Sequence, residues 1–223
     1  KENGITITPD TVIEDLSGFP VGEAPNKVKG IFANKRHLLS NYLTKMPHGL
    51  VDKKITGIGA TTLEINSKRN SIIVFPTKAL AYGKHSKHPN TLYVGSEIKG
   101  EKVTNQQIEE YLAKDGYKKL LVVADSLGRL LGIIGKNYKD YFLMIDEVDV
   151  LQTDNNFRPQ LENVIDYYFM FPSKNRCMVT ATMKEFSNPH LKTECRFPIT
   201  WKYNTHRNID LLHTDNITQA VIE

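Results

Sequence analysis

The chain is short of cysteine, of long apolar runs and of any strong excess of charge. Only Cys177 and Cys195 occur among 223 residues. Neither lies in a Cys-x-x-Cys pair or a Cys/His cluster, which argues against a zinc site and for a reducing, cytoplasmic setting. No uninterrupted apolar stretch approaches the roughly 20 residues a bilayer span needs, so no membrane partner is expected. Repeats and low-complexity tracts are also missing. The opening "KENGITITPD" has neither an initiator methionine nor a secretory pattern, so we expect an artificial or processed end. Lys and Arg number 29 against 25 Asp and Glu, a net +4 that suits a polyanionic partner without arguing for one.

What is present is an ordinary globular composition, 40% apolar and 24% charged, at a length that suits one main α/β domain with extensions. Apolar runs recur at residues 71–75 (SIIVF), 91–95 (TLYVG), 120–124 (LLVVA), 141–145 (YFLMI) and 177–181 (CMVTA). Runs without polar alternation predict strands buried on both faces, hence a mostly parallel sheet flanked by helices. Between them, Thr104 with Gln107 three residues on predicts a capped helix ending before Gly116. A second helix is predicted from Pro159 through Leu161, Val164, Ile165 and Tyr168. Residues 1–40, broken by Pro9, Pro20 and Pro25, read as an extended arm or irregular extension.

In open parallel sheets ligands gather beyond the carboxyl ends of the strands. Asp146-Glu147-Val148-Asp149 follows the fourth run. An acid at the end of a buried strand can hold Mg²⁺, and an acid beside it can take a proton from water. Earlier comes Gly57-Ile58-Gly59-Ala60-Thr61-Thr62, led in by what reads as a strand through Lys54 and Ile55. It is nearly a phosphate-binding loop, with Ala60 where that loop carries lysine. Basic clusters at Lys53-Lys54, Lys68-Arg69, residues 83–88 and Lys118-Lys119 read mostly as solvated loops and strand ends.

Five motifs stand in a fixed order: the glycine loop, Phe75-Pro76-Thr77-Lys78-Ala79-Leu80, Ala124-Asp125-Ser126-Leu127-Gly128-Arg129-Leu130, Asp146-Glu147-Val148-Asp149, and Thr180-Ala181-Thr182. This series resembles the first motor domain of superfamily two helicases and translocases, the DEAD/DEAH-like group. The resemblance implies an α/β RecA-like P-loop NTPase domain at 41–205 that uses ATP and Mg²⁺. By the same resemblance, Gly57, Ile58, Gly59, Ala60, Thr61 and Thr62 bind the nucleotide, Thr61 and Asp146 hold the metal, and Glu147 works beside Asp146 as the catalytic pair. Asp149, Thr180, Ala181 and Thr182 couple nucleotide state to a second RecA-like domain. Pro76, Thr77, Lys78, Gly128 and Arg129 lie along the nucleic acid, with DNA expected ahead of RNA.

Three departures qualify the expectation. Ala60 removes a cation that Lys53, Lys54 or a missing partner domain would have to replace, and the sequence points to none of them. No glutamine-bearing adenine-recognition stretch precedes the loop. Only one motor domain fits, so residues 206–223 read as the start of a linker to a second. The leading function is therefore the ATPase domain of a helicase or translocase; the alternative is a degenerate, non-catalytic nucleic-acid scaffold or loader. A third reading is a different P-loop NTPase built on the same sheet.

Overall fold

The computed structural model describes residues 31–33, 38–98, 100, 102–149, 162–182 and 189–201. The arm expected before residue 31, the linker at 206–223, Pro159 and Leu161 lie outside the described residues.

Eight strands form one sheet in the order β1-β8-β2-β7-β6-β3-β5-β4. They are β1 (Ile31–Ala33), β2 (Gly49–Asp52), β3 (Ser71–Phe75), β4 (Leu92–Val94), β5 (Lys119–Val123), β6 (Phe142–Asp146), β7 (Arg176–Thr180) and β8 (Arg196–Trp201). Every strand pair is parallel. The helices are α1 (Ala60–Asn66), α2 (Lys78–His85), α3 (Asn105–Ala113), α4 (Leu127–Ile134), α5 (Glu162–Met170) and α6 (Pro189–Lys192).

The unbroken apolar runs have the predicted cause. Ile73, Phe75, Leu121, Val123, Phe142 and Met144 enter a core that includes Leu63 of α1 and Ala81 of α2. Their neighbours Ile72, Val74, Leu120, Val122, Leu143 and Ile145 enter a second core with Ile108, Leu130 and Val164 from α3, α4 and α5. Each strand thus buries side chains on both faces, and every fully buried aliphatic or aromatic one contributes about 1.5–3 kcal/mol. α3 carries the expected capping box, in which the Thr104 side chain accepts from Gln107 N and Thr104 N donates to the Gln107 side chain. Among the described residues no helix is long and apolar enough to cross a membrane.

The lead-in to the glycine loop differs from expectation. The strand ends at Asp52, and Lys54 lies outside it with φ 56°, a left-handed residue that turns the chain sharply. β2, β8 and β1 were not anticipated as strands. Within the expected arm, Ile31–Ala33 pairs with β8, and a turn of 3-10 helix at Leu39–Asn41 precedes β2.

Topology sets the site. The adjacent strands β6 and β3 lead in opposite directions, β6 to its neighbour β7 and β3 across β5 to β4. Connections that diverge in this way leave a crevice beyond the carboxyl ends of the strands.

Candidate functional site

β2 delivers Lys53 to that crevice. Its amide donates to the Thr180 carbonyl at 2.9 Å, continuing the β2–β7 ladder one residue past the strand. The left-handed turn then sends Lys54 outward, where its ammonium meets Asp52 at 2.6 Å. Lys53 goes the other way. It is 4% exposed, and its Nζ lies 2.8 Å from Glu147 Oε1 and 3.5 Å from Asp146 Oδ1. Burial by itself lowers its pKa, but the charges and hydrogen bonds of Asp146 and Glu147 outweigh that and raise it. The lysine is therefore held as an ammonium.

The acids come from the end of β6. Asp146 is buried, and its Oδ2 accepts the Thr61 hydroxyl at 2.6 Å while Oδ1 accepts the Glu147 amide at 3.2 Å. Glu147 has φ 53°. Among the described residues Lys54 and Glu147 are the two non-glycine positions with positive φ; one follows Lys53 in the chain and the other is its ion-pair partner. Backbone strain of this kind costs about 1–3 kcal/mol per residue and gathers at functional sites.

Thr61 is placed by the glycine loop. Gly57 and Gly59 have φ 75° and 83°, and a Cβ built on Gly57 would meet nothing within 4 Å. The Ile58 carbonyl between them accepts from Leu39 N, which ties the loop to the segment before β2. Gly59 caps α1, so Ala60 and Thr61 open that helix, Ala60 being buried and Thr62 partly exposed. Loop, Thr61, Lys53, Asp146 and Glu147 all line one cleft of about 960 Å³. Leu38, Leu43, Thr44 and Lys45 form another part of its wall, and Phe75, Leu80 and Lys84 another.

The remaining candidates fall into two groups. Asp149 Oδ1 accepts the Thr180 hydroxyl at 2.6 Å, Asp149 also accepts the Thr182 hydroxyl, and Ala181 is the half-exposed residue between the threonines. Pro76, Thr77 and Lys78 follow β3, with Thr77 capping α2 and Lys78 Nζ donating to the Glu97 carbonyl at 3.0 Å. Gly128 and Arg129 open α4. A Cβ on Gly128 would stand 2.5 Å from Tyr167 Oη, while Arg129 bonds Asn105 Oδ1 at 2.8 Å and the Val103 carbonyl at 2.7 Å. Both cations thus hold the connection between β4 and α3, a contact that serves packing whatever else they bind.

Chemically, the Thr61 hydroxyl and Asp146 carboxylate are hard oxygen donors of the sort Mg²⁺ takes together with waters and phosphates. Among the described residues no cluster of three or more His, Cys, Asp or Glu could hold an ion unaided. The donor set fits a metal carried in with a phosphate ligand. Lys53 is the residue that sequence reasoning failed to place. Its signal was position, directly after a strand and ahead of a glycine loop, but a lysine doublet reads as solvated.

The sequence model of the DEAD/DEAH box helicase family matches residues 54–189, more than half of the chain. That stretch runs from the glycine loop through both acids to the threonine pair. Comparison with curated proteins finds no match.

Proposed function

The chain belongs to the DEAD/DEAH box helicase family, and from that premise we propose that it is the ATP-binding RecA-like motor domain, spanning 41–205, of a nucleic-acid helicase or translocase. The observation that carries this reading is the convergence of Thr61, Asp146, Glu147 and Lys53 on one cleft beside the glycine loop. Thr61 and Asp146 would hold Mg²⁺, which would supply charge neutralisation on the phosphates. Glu147 positions the attacking water and accepts its proton. The loop from Gly57 to Thr62 surrounds the phosphates, and Asp149 with Thr180, Ala181 and Thr182 passes the nucleotide state to a second RecA-like domain.

Pro76, Thr77, Lys78, Gly128 and Arg129 form the nucleic-acid path, where backbone and cations grip phosphates without reading bases. DNA is the proposed substrate ahead of RNA. Ala60 favours a second reading, in which the fold binds nucleic acid as a scaffold and does not hydrolyse ATP.

Calorimetric titration of Mg-ATP tests the first reading, with saturable binding expected. Absence of binding both here and in an Ala60→Lys variant would sink it. Single-strand binding by Lys78→Ala and Arg129→Ala across a salt series tests the path. Each change should weaken binding and flatten the salt slope by about one phosphate contact.

A further inference from the structure

We propose that Lys53, reaching in from the end of β2, supplies the phosphate-binding cation that Ala60 cannot. This inference rests on the reading that the cleft binds Mg-ATP. Four lysines line the cleft, Lys45, Lys53, Lys68 and Lys84, and Lys53 alone among them is buried. Its backbone is fixed by the bond to the Thr180 carbonyl, so its ammonium sweeps from an anchored point. It shares the cleft with Gly57, Gly59 and Ala60. A cation from the strand side therefore borders the same space as one from the helix side.

The partners of Lys53 explain how it can serve two states. Its ammonium neutralises Asp146 and Glu147, two carboxylates that repel one another at the end of β6. Mg²⁺ held by Asp146 and Thr61 would supply that neutralisation in place of Lys53. Lys53 then faces the cleft with its charge intact and turns to the phosphates. A lysine held only to neutralise the acids would behave differently. Its removal would free the acids for Mg²⁺ and would leave nucleotide affinity equal or stronger.

That contrast is the test. In titrations of the whole chain, Lys53→Met should bind Mg²⁺ without nucleotide more tightly than the parent. It should also lose about tenfold to a hundredfold in affinity for Mg-ATP, the scale of a lost charge-assisted contact. Affinity for AMP should hold, Lys53→Arg should keep most of the ATP affinity, and the Lys54→Met control should match the parent. Should Lys53→Met fail to fold, Ala60→Lys in the parent background asks the same question. A second cation should gain less than about threefold where Lys53 already acts, and tenfold or more where it does not. Unchanged ATP binding by Lys53→Met, or a large gain from Ala60→Lys alone, overturns the role of Lys53 and leaves the cleft reading standing. No binding in the parent or in Ala60→Lys removes both.

Discussion

Two lysines, one at each edge of the sheet, are buried to nearly the same extent and held in opposite ways. Lys53 at the carboxyl edge is 4% exposed and Lys119 at the amino edge 6%. Lys119 Nζ donates to three uncharged oxygens, the Glu64 carbonyl at 2.7 Å, Ser67 Oγ at 2.9 Å and Ser71 Oγ at 3.0 Å. Burial lowers its pKa to about 8, with the Glu64 carboxylate pulling it up and Arg69 pushing it down. Lys53 meets two carboxylates directly, and its pKa is raised.

The surroundings differ as much as the partners. At the amino edge Glu64 is fully buried, with Arg69, Ser67, Ser71 and the Met46 amide all donating to its carboxylate. Those bonds close the network. At the carboxyl edge the lysine, the acids and Thr61 open onto a cleft of about 960 Å³. Burial of charge therefore does not separate structure from function in this domain. A neighbouring space in which partners can be exchanged does.

The largest effect is expected at Glu64. Glu64→Ala leaves Arg69 and Lys119 without their carboxylate and should cost about 3–5 kcal/mol in urea unfolding, the scale for removing one member of a buried charge network. A loss below about 1 kcal/mol would mean that the amino edge is not the closed structural network its geometry indicates.

Lys119 sharpens the contrast through pH. Its folded pKa of about 8 lies below the ordinary 10.5, so between those values the unfolded chain binds more protons. Stability gained from this group therefore rises with pH through that window, by up to roughly 3 kcal/mol, and its cost is felt in full below pH 8. Lys53 has the reverse sign: its raised pKa contributes stability that is complete below 10.5 and lost only as pH climbs through the higher folded value. The buried Tyr168 and Cys177 also titrate in alkali with raised pKa values, so the readout is the difference between parent and Lys119→Met. Parent stability relative to Lys119→Met should rise steadily from pH 8 toward 10. A flat difference would place the proton elsewhere.

How much of this was legible follows from which residues carry it. Strands β3, β5 and β6 were readable because both faces are buried, which leaves an unbroken apolar run whatever the register. β3 has the ends read for it, 71–75, while those of β5 and β6 were misplaced by a residue, since Lys119 begins β5 and Asp146 closes β6, and a charged residue reads as loop. β2 offers only Leu50 and Val51 between a glycine and an aspartate, and β8 contains Pro198, which demotes a run. The acids were visible because a strand points at them. Lys53 and Glu64 were not, because each finds its charged partners through chain segments that only the folded sheet or the turn after α1 brings together.

Lys54 makes the smallest and cleanest test. It adjoins Lys53 in sequence and also forms an ion pair, with Asp52 at 2.6 Å, but its side chain is 58% exposed. Water screens such a pair, and holding a long side chain in one geometry offsets most of the remaining attraction. Lys54→Met should therefore move stability by less than about 0.5 kcal/mol in urea unfolding. The left-handed backbone at φ 56° stays strained with either side chain, so the substitution leaves that cost unchanged. A loss of more than about 1 kcal/mol would show that Lys54 also holds the turn that aims Lys53 inward, and the two lysines would then act as one unit.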